Sequence, residues 1–150
     1  MRNHKFFQAV FVVLGLAVAV PQLFAQEDVI EKRQKLMKAN GADAKAIKGA
    51  VEQKDYATIE TKAKDIAGNM DKVGDLFPQG STSEKSRALP AIWEKPDDFK
   101  KNAAKVKQAA NDVADAAKAK DDAALSTKVK ALGDACGACH KNYRAEEKKG

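Results

Sequence analysis

Apolar residues recur three and four positions apart along four stretches of the chain, the spacing that gathers them on one face of an α-helix. The first stretch runs from about Glu27 to Ala50, with Ile30, Arg33, Met37, Ala44, Ile47 and Val51 on its inward stripe. The second, from about Tyr56 to Leu76, carries Tyr56, Ile59, Ala63, Ile66, Met70 and Val73. The third, from about Asp97 to Ala119, carries Phe99, Ala103, Val106, Ala110, Val113 and Ala117. The fourth, from about Asp121 to Glu147, carries Leu125, Val129, Leu132, Cys136, Cys139 and Tyr143. Seams of this kind predict an all-α fold, an antiparallel four-helix bundle. Asp97-Asp98 and Asp121-Asp122 are the expected N-terminal caps of the third and fourth helices. The one long connection, between the second and third helices, holds Pro78, Gly80, Pro90 and Pro96 and cannot be continuous helix. Trp93 lies in it and is expected to plug one end of the core. No strand pattern and no repeat longer than the heptad is visible.

Residues 1–25 break the pattern. Arg2 and Lys5 precede an uncharged run, and Ala25 offers a small residue before a cut. This reads as a secretory signal peptide, followed by a bundle domain over 26–150. The uncharged stretch from Phe6 to Gln26 is long enough for an anchor helix, but Pro21 and the terminal position favour cleavage. The expected location is therefore the periplasm, with no membrane contact after cleavage. A length of 150 residues fits one domain and excludes a large multidomain enzyme. The formal net charge of +6 is spread as Lys alternating with acids, the pattern of solvated helix faces, and no Arg-rich cluster suggests nucleic acid. Only 6% of residues are aromatic, and Ala dominates the apolar count, so the core is thin for a domain of this size.

Cys136-Gly137-Ala138-Cys139-His140 contains both cysteines and the only histidine outside the leader. On a helix, positions i, i+3 and i+4 share a face. Two thiols so placed can add to the two vinyl groups of one porphyrin as thioethers, and the adjacent imidazole can coordinate its iron. The spacing reads as attachment of one haem c. A disulfide within this turn would be strained. A redox CxxC lacks its βαβ context, a zinc site lacks a fourth ligand, and an iron–sulfur cluster lacks cysteines. The thin, Ala-rich core gains an explanation: haem supplies the missing apolar mass, and Ala-lined helices leave room for it.

With His140 as one axial ligand, the soft candidates for the other are Met37 and Met70. An arginine on an inward stripe requires an anionic partner, and a haem propionate provides one. Arg33 and Met37, at i and i+4, could therefore hold a propionate and the iron. The alternatives are a gap-filling Met37, an Arg33 that snorkels to the bundle end, and Met70 as ligand from its own seam.

Lys32 to Lys38, Leu76-Phe77-Pro78, Ala91-Ile92-Trp93 and Cys136 to Arg144 together resemble the cytochrome c′ family, the class II c-type cytochromes. The resemblance spans essentially the whole chain after the leader. In high-spin members an apolar residue follows the first-helix arginine by four positions; here that position is Met37, as in the low-spin cytochrome c-556 type. The resemblance implies a four-helix bundle with Cys136 and Cys139 covalently bound to haem, His140 proximal, Met37 distal and Arg33 near a propionate. It also implies that Tyr143 and Arg144 sit on the proximal side.

The leading expectation is an electron carrier, not an enzyme, serving redox partner proteins as a monomer or homodimer. Lys141, Lys148 and Lys149 near the attachment helix could steer an acidic partner, and the alternative is that they serve only solubility. The alternative is a protein that binds nitric oxide or carbon monoxide at an open sixth site. A third reading is a haem-free thiol or metal-binding bundle. Haem staining of a denaturing gel separates the last from the first two. A chromophore that stays on the chain is the expected result; two titratable thiols with no stain would mean no attached haem.

Overall fold

In the computed structural model, the described residues run from Val20 to Glu146, with side chains from Glu27 onward. Most of the expected leader, residues 1–19, lies outside them. Four long helices form: α1 (Val20–Glu52), α2 (Tyr56–Lys72), α4 (Pro96–Ala119) and α5 (Asp122–Tyr143). A 3₁₀ turn (Gly74–Leu76) and a four-residue helix, α3 (Ala91–Glu94), lie in the long connection. Each long helix matches one stretch of apolar spacing, with corrections at the ends. Among the described residues α1 reaches back to Val20, beyond the expected start near Glu27. α2 gives way to 3₁₀ geometry before Leu76. α5 stops at Tyr143 rather than Glu147.

The capping expectation holds for one pair and fails for the other. Asp121 caps α5 by accepting the Ala124 N–H at 2.9 Å. Asp97 and Asp98 do not cap α4. Pro96 takes the first helical position, which moves the cap to Lys95 and puts both acids inside the first turn, where they still favour the positive end of the macrodipole. Two short turns repeat one device. Lys54 and Lys120 adopt left-handed backbone with φ of 55° and 54°. Each ends its helix with paired bonds: Asp55 N–H to Ala50 O (2.9 Å) with Lys54 N–H to Val51 O (3.1 Å), and Asp121 N–H to Ala116 O (3.1 Å) with Lys120 N–H to Ala117 O (3.0 Å). The aspartate that follows each lysine caps the next helix. The two turns are neighbours at one end of the bundle, where Lys54 pairs with Asp122 at 2.5 Å and Tyr56 donates to Asp122 at 2.7 Å.

The core follows the seams. Ile59, Ala63, Ile66, Val106, Ala110, Val113, Ala117, Leu125 and Leu132 are all buried. α2 and α4 make the densest contact of the bundle, while α1 and α5 touch only sparsely. Both α2 and α4 bring buried alanines to their packing: Ala63 and Ala67 from one, Ala103, Ala110, Ala114 and Ala117 from the other. These alanines lie on the most closely packed helix pair. Small side chains let two helix axes approach, so Ala tightens the α2–α4 seam. The opening lies at the other side, between α1 and α5. Enlarging Ala110 to Leu in this seam is expected to cost about 2 kcal/mol. The loss would be read as a lower midpoint of denaturant unfolding with an unchanged haem spectrum.

Candidate functional site

The end of the bundle away from the Lys-Asp turns carries a cavity of about 220 Å³ that opens to solvent. α1 contributes Arg33, Gln34 and Met37, and α5 contributes Cys139, His140 and Tyr143, with Arg144 just beyond its end. The long connection adds Phe77, Ser86, Arg87 and Ala88; Ile92 of α3 and Phe99 of α4 complete the wall. Helical spacing sets the α5 side, because Cys139 and His140 fall on the last turn and a half of a helix that ends at Tyr143. Of the expected site residues, the cavity thus gathers Arg33, Met37, Cys139, His140 and Arg144. Cys136 is half-buried one turn earlier and packs against the core instead of lining the cavity. Met70 lies elsewhere: its sulfur accepts from Asn40 Nδ2 at 3.7 Å, and Asn40 Oδ1 accepts from Asn69 at 2.8 Å.

α5 ends because Arg144 turns extended, with φ −129° and ψ 125°, while its N–H still bonds His140 O at 2.9 Å. The chain then pairs with the long connection. Leu89 N–H donates to Tyr143 O (3.0 Å), Ala145 N–H to Arg87 O (2.8 Å), and Arg87 Nε to Ala145 O (2.9 Å), around an antiparallel bridge between Ala88 and Arg144. Tyr143 is buried; its hydroxyl donates to Asp98 Oδ2 at 2.6 Å, and its ring meets Phe99 edge-on at 5.1 Å. Phe99 meets Phe77 in the same way at 5.0 Å. Trp93 donates its indole N–H to Phe77 O (3.1 Å) and Pro78 O (2.9 Å), so it pins the start of the connection at the core's end.

Arg33 is only 4% exposed. Its Nη1 donates to Ser81 Oγ (2.8 Å) and Leu76 O (3.3 Å), and its Nη2 to Ser81 O and Ser86 Oγ (both 2.6 Å). Its guanidinium lies 4.6 Å above the centre of the Phe77 ring. Among the described residues no carboxylate pairs with it. Burial lowers its pKa, but a guanidinium stays charged at any physiological pH.

Burial also pushes the Cys136 thiol up and the Cys139 thiol up to about 11, the latter opposed as well by its neighbour Cys136. Both are free and stay protonated at neutral pH, which does not suit a thiol–disulfide exchange pair. Burial first, then the charges of Arg144 and Arg87, lower the His140 pKa. The shift favours the neutral imidazole, the form with a lone pair to donate.

The donor set fits a haem. The walls are mainly apolar, a thioether and an imidazole come from different helices, and a thiol stands one residue from the imidazole. The lining has three arginines and no carboxylate among the described residues, which suits a ligand bearing carboxylates. Sequence reasoning missed Phe77, Ser86, Arg87, Ala88, Ile92 and Phe99 as parts of this wall. One signal could have found Arg87. The chain has four arginines, and all three outside the leader (Arg33, Arg87 and Arg144) line this one cavity.

A family profile described as Cytochrome C' matches residues 28–144. A cytochrome c-556 of Agrobacterium tumefaciens (strain II Chrys) is 39% identical over 121 residues, covering 79% of this chain and 98% of that protein. A cytochrome c-554 of Cereibacter sphaeroides is 35% identical over 142 residues, covering 87% and 92%. Among solved structures, the cytochrome c′ of Thermochromatium tepidum superposes with a TM-score of 0.74 at 28% identity, covering 81% of this chain and 97% of that one.

The Tyr143–Asp98 contact makes a pH prediction. The hydrogen bond to Asp98, then burial, then the charge of Asp98 raise the Tyr143 pKa to about 12, above the ordinary tyrosine value of about 10. A pKa raised by folding stabilises the fold below the unfolded value, and that contribution is lost as pH climbs through the folded one. Tyr143→Phe should therefore be less stable than the parent at pH 9, with the difference shrinking between about pH 10 and 12. Thermal melts of both proteins across that range check it.

Proposed function

The chain belongs to the cytochrome c′ family, and from that premise we propose that it is a periplasmic electron carrier whose iron is held between His140 and Met37. The cofactor is one covalently bound haem c, which supplies the ferric/ferrous couple when bound. In this reading Cys136 and Cys139 would hold the haem through thioether bonds, and His140 and Met37 would hold its iron through imidazole and thioether. Arg33 and Arg144, with Arg87 beside them, would offset the charge of the propionates. Phe77, Ile92 and Phe99 would keep water out of the apolar cavity.

The observation that carries this reading is the joint presence of Met37 and His140 in one cavity, on helices that otherwise touch sparsely. A thioether and an imidazole saturate the iron in both oxidation states, so little rearrangement accompanies electron transfer, and the thioether favours the ferrous form. Met70 is disfavoured by its bond to Asn40 and by its absence from the cavity wall. Charge fits the same role: Lys141 is exposed one residue after His140 and could attract an acidic redox partner, while Lys148 and Lys149 lie outside the described residues. The periplasmic assignment rests on the leader-like residues 1–25. No described helix is long and apolar enough to cross a membrane.

Absorption spectroscopy of the purified ferric protein tests the reading. The expected result is a six-coordinate, low-spin spectrum with a near-infrared sulfur-to-iron band. That band should vanish in Met37→Ala, with high-spin features appearing in its place, and should persist in Met70→Ala. A five-coordinate parent, or a Met37→Ala spectrum identical to the parent's, would sink the ligand assignment and favour a protein that binds nitric oxide or carbon monoxide at an open site.

A further inference from the structure

We infer that the connection between Ser81 and Leu89 is a strap that fixes the Met37 wall of the cavity against the His140 wall, and that Ser81 and Ser86 are its positioning residues. The inference rests on the reading of Met37 as sixth ligand and adds what keeps it there.

At one end the strap is fastened to α1. Ser81 is fully buried, and its hydroxyl and carbonyl oxygens both accept from Arg33. The Ser86 hydroxyl accepts a third guanidinium bond. Arg33 lies one helical turn before Met37 on the same face, so holding its guanidinium holds the helix turn that presents the thioether. At the other end, beginning one residue after Ser86, the strap is fastened to the chain just past His140. Leu89 donates to Tyr143 O, and Ala145 donates to Arg87 O. Between these two anchors runs a short segment of chain, from Ser86 to Leu89.

Direct contact does little to set the distance between the walls, because α1 and α5 meet sparsely. The strap does it instead, through bonds that are short, buried on the α1 side and charge-assisted. Its geometry explains how an arginine faces inward here with only neutral oxygens as partners: the strap satisfies its N–H donors, and its charge is left for an anionic group in the cavity. A bond between iron and a thioether is weak enough for its lifetime to depend on how well the donor is held. Loosening the strap should free Met37 to leave the iron and open the sixth site to an external ligand.

The test uses the haem-loaded protein and the Ser81→Ala/Ser86→Ala double variant, which keeps Arg33, Met37 and His140. Three readouts are taken: the near-infrared sulfur-to-iron band of the ferric form, the rate of carbon monoxide binding to the ferrous form, and amide hydrogen exchange at Leu89 and Ala145. The inference expects the band to weaken or disappear, carbon monoxide to bind about tenfold faster, and exchange at both amides to rise about tenfold. Ser81→Thr, which keeps the hydroxyl, should retain the parent's band. Ala145→Pro removes the donor to Arg87 O at the far anchor while matching the extended backbone of Arg144, and should also speed carbon monoxide binding. A parent with the band and a double variant with the same band and the same carbon monoxide rate would overturn the strap and leave Met37 ligation standing. A parent without the band would overturn Met37 ligation. The strap would then be judged by exchange alone, and unchanged exchange at Leu89 and Ala145 would overturn it as well.

Discussion

A charge taken out of water must be given its hydrogen bonds by the protein, and Arg33 sets that requirement at the open end of this bundle. Its guanidinium is almost fully enclosed, and every oxygen that accepts from it belongs to the connection between α2 and α4 or to the turn before it. The fourteen irregular residues 77–90, with two prolines and three serines, would otherwise have little reason to lie close to α1. Folded around Arg33, it buries Ser81, sets Phe77 under the guanidinium and delivers Arg87 and Ala88 to the cavity wall. Neutral partners leave the Arg33 charge uncancelled at a cavity whose wall also carries Arg87 and Arg144.

The two ends of the bundle are built on different principles. At one end, local chemistry closes the chain: a left-handed lysine terminates one helix, an aspartate caps the next, and the two turns are joined through Asp122. Nothing there needs a ligand. At the other end the helices are tied by contacts far apart in sequence. Tyr143 reaches Asp98, Arg33 reaches Ser86, and Trp93 reaches Phe77. These ties form the rim and walls of a cavity without filling it. Between the ends, the alanines of α2 and α4 make one seam tight, and the opposite seam, α1 against α5, is where a flat cofactor has space.

The proposed electron-carrier role depends on that division, because a carrier works best when its ligands hardly move between oxidation states. Here the imidazole stands on the last turn of α5, a helix held by Tyr143 in the aromatic cluster, and the thioether stands on α1 beside the locked guanidinium. Both are on regular elements rather than on loops, and the loop that crosses between them is itself bonded at both ends. The exposed Lys141 next to His140 does not line this cavity, so in the proposed reading partner recognition and ligand positioning would be separate tasks of the same end of the molecule.

The sequence by itself determined the four helices, the seams that face the core, the CxxCH face of α5 and the pairing of Arg33 with Met37 on one stripe of α1. These are local regularities: helical periodicity and spacing depend on neighbours three and four residues away, so they can be read without knowing the fold. Tertiary structure decided the rest. Lysine has no preference for left-handed backbone, so Lys54 and Lys120 carry no local sign of their turns; the paired carbonyl bonds impose the conformation. Ala reads only as small, and whether it draws two helices together or leaves a gap depends on what stands opposite. Phe99 reads as one more core residue of its seam, yet it lies on the cavity wall because Phe77 and Tyr143 arrive from other elements to meet it. The partners of Arg33 could be anything that accepts a hydrogen bond. Only the path of the connection made them Ser81 and Ser86, because a chain segment with no periodicity of its own takes the course that satisfies the buried charge.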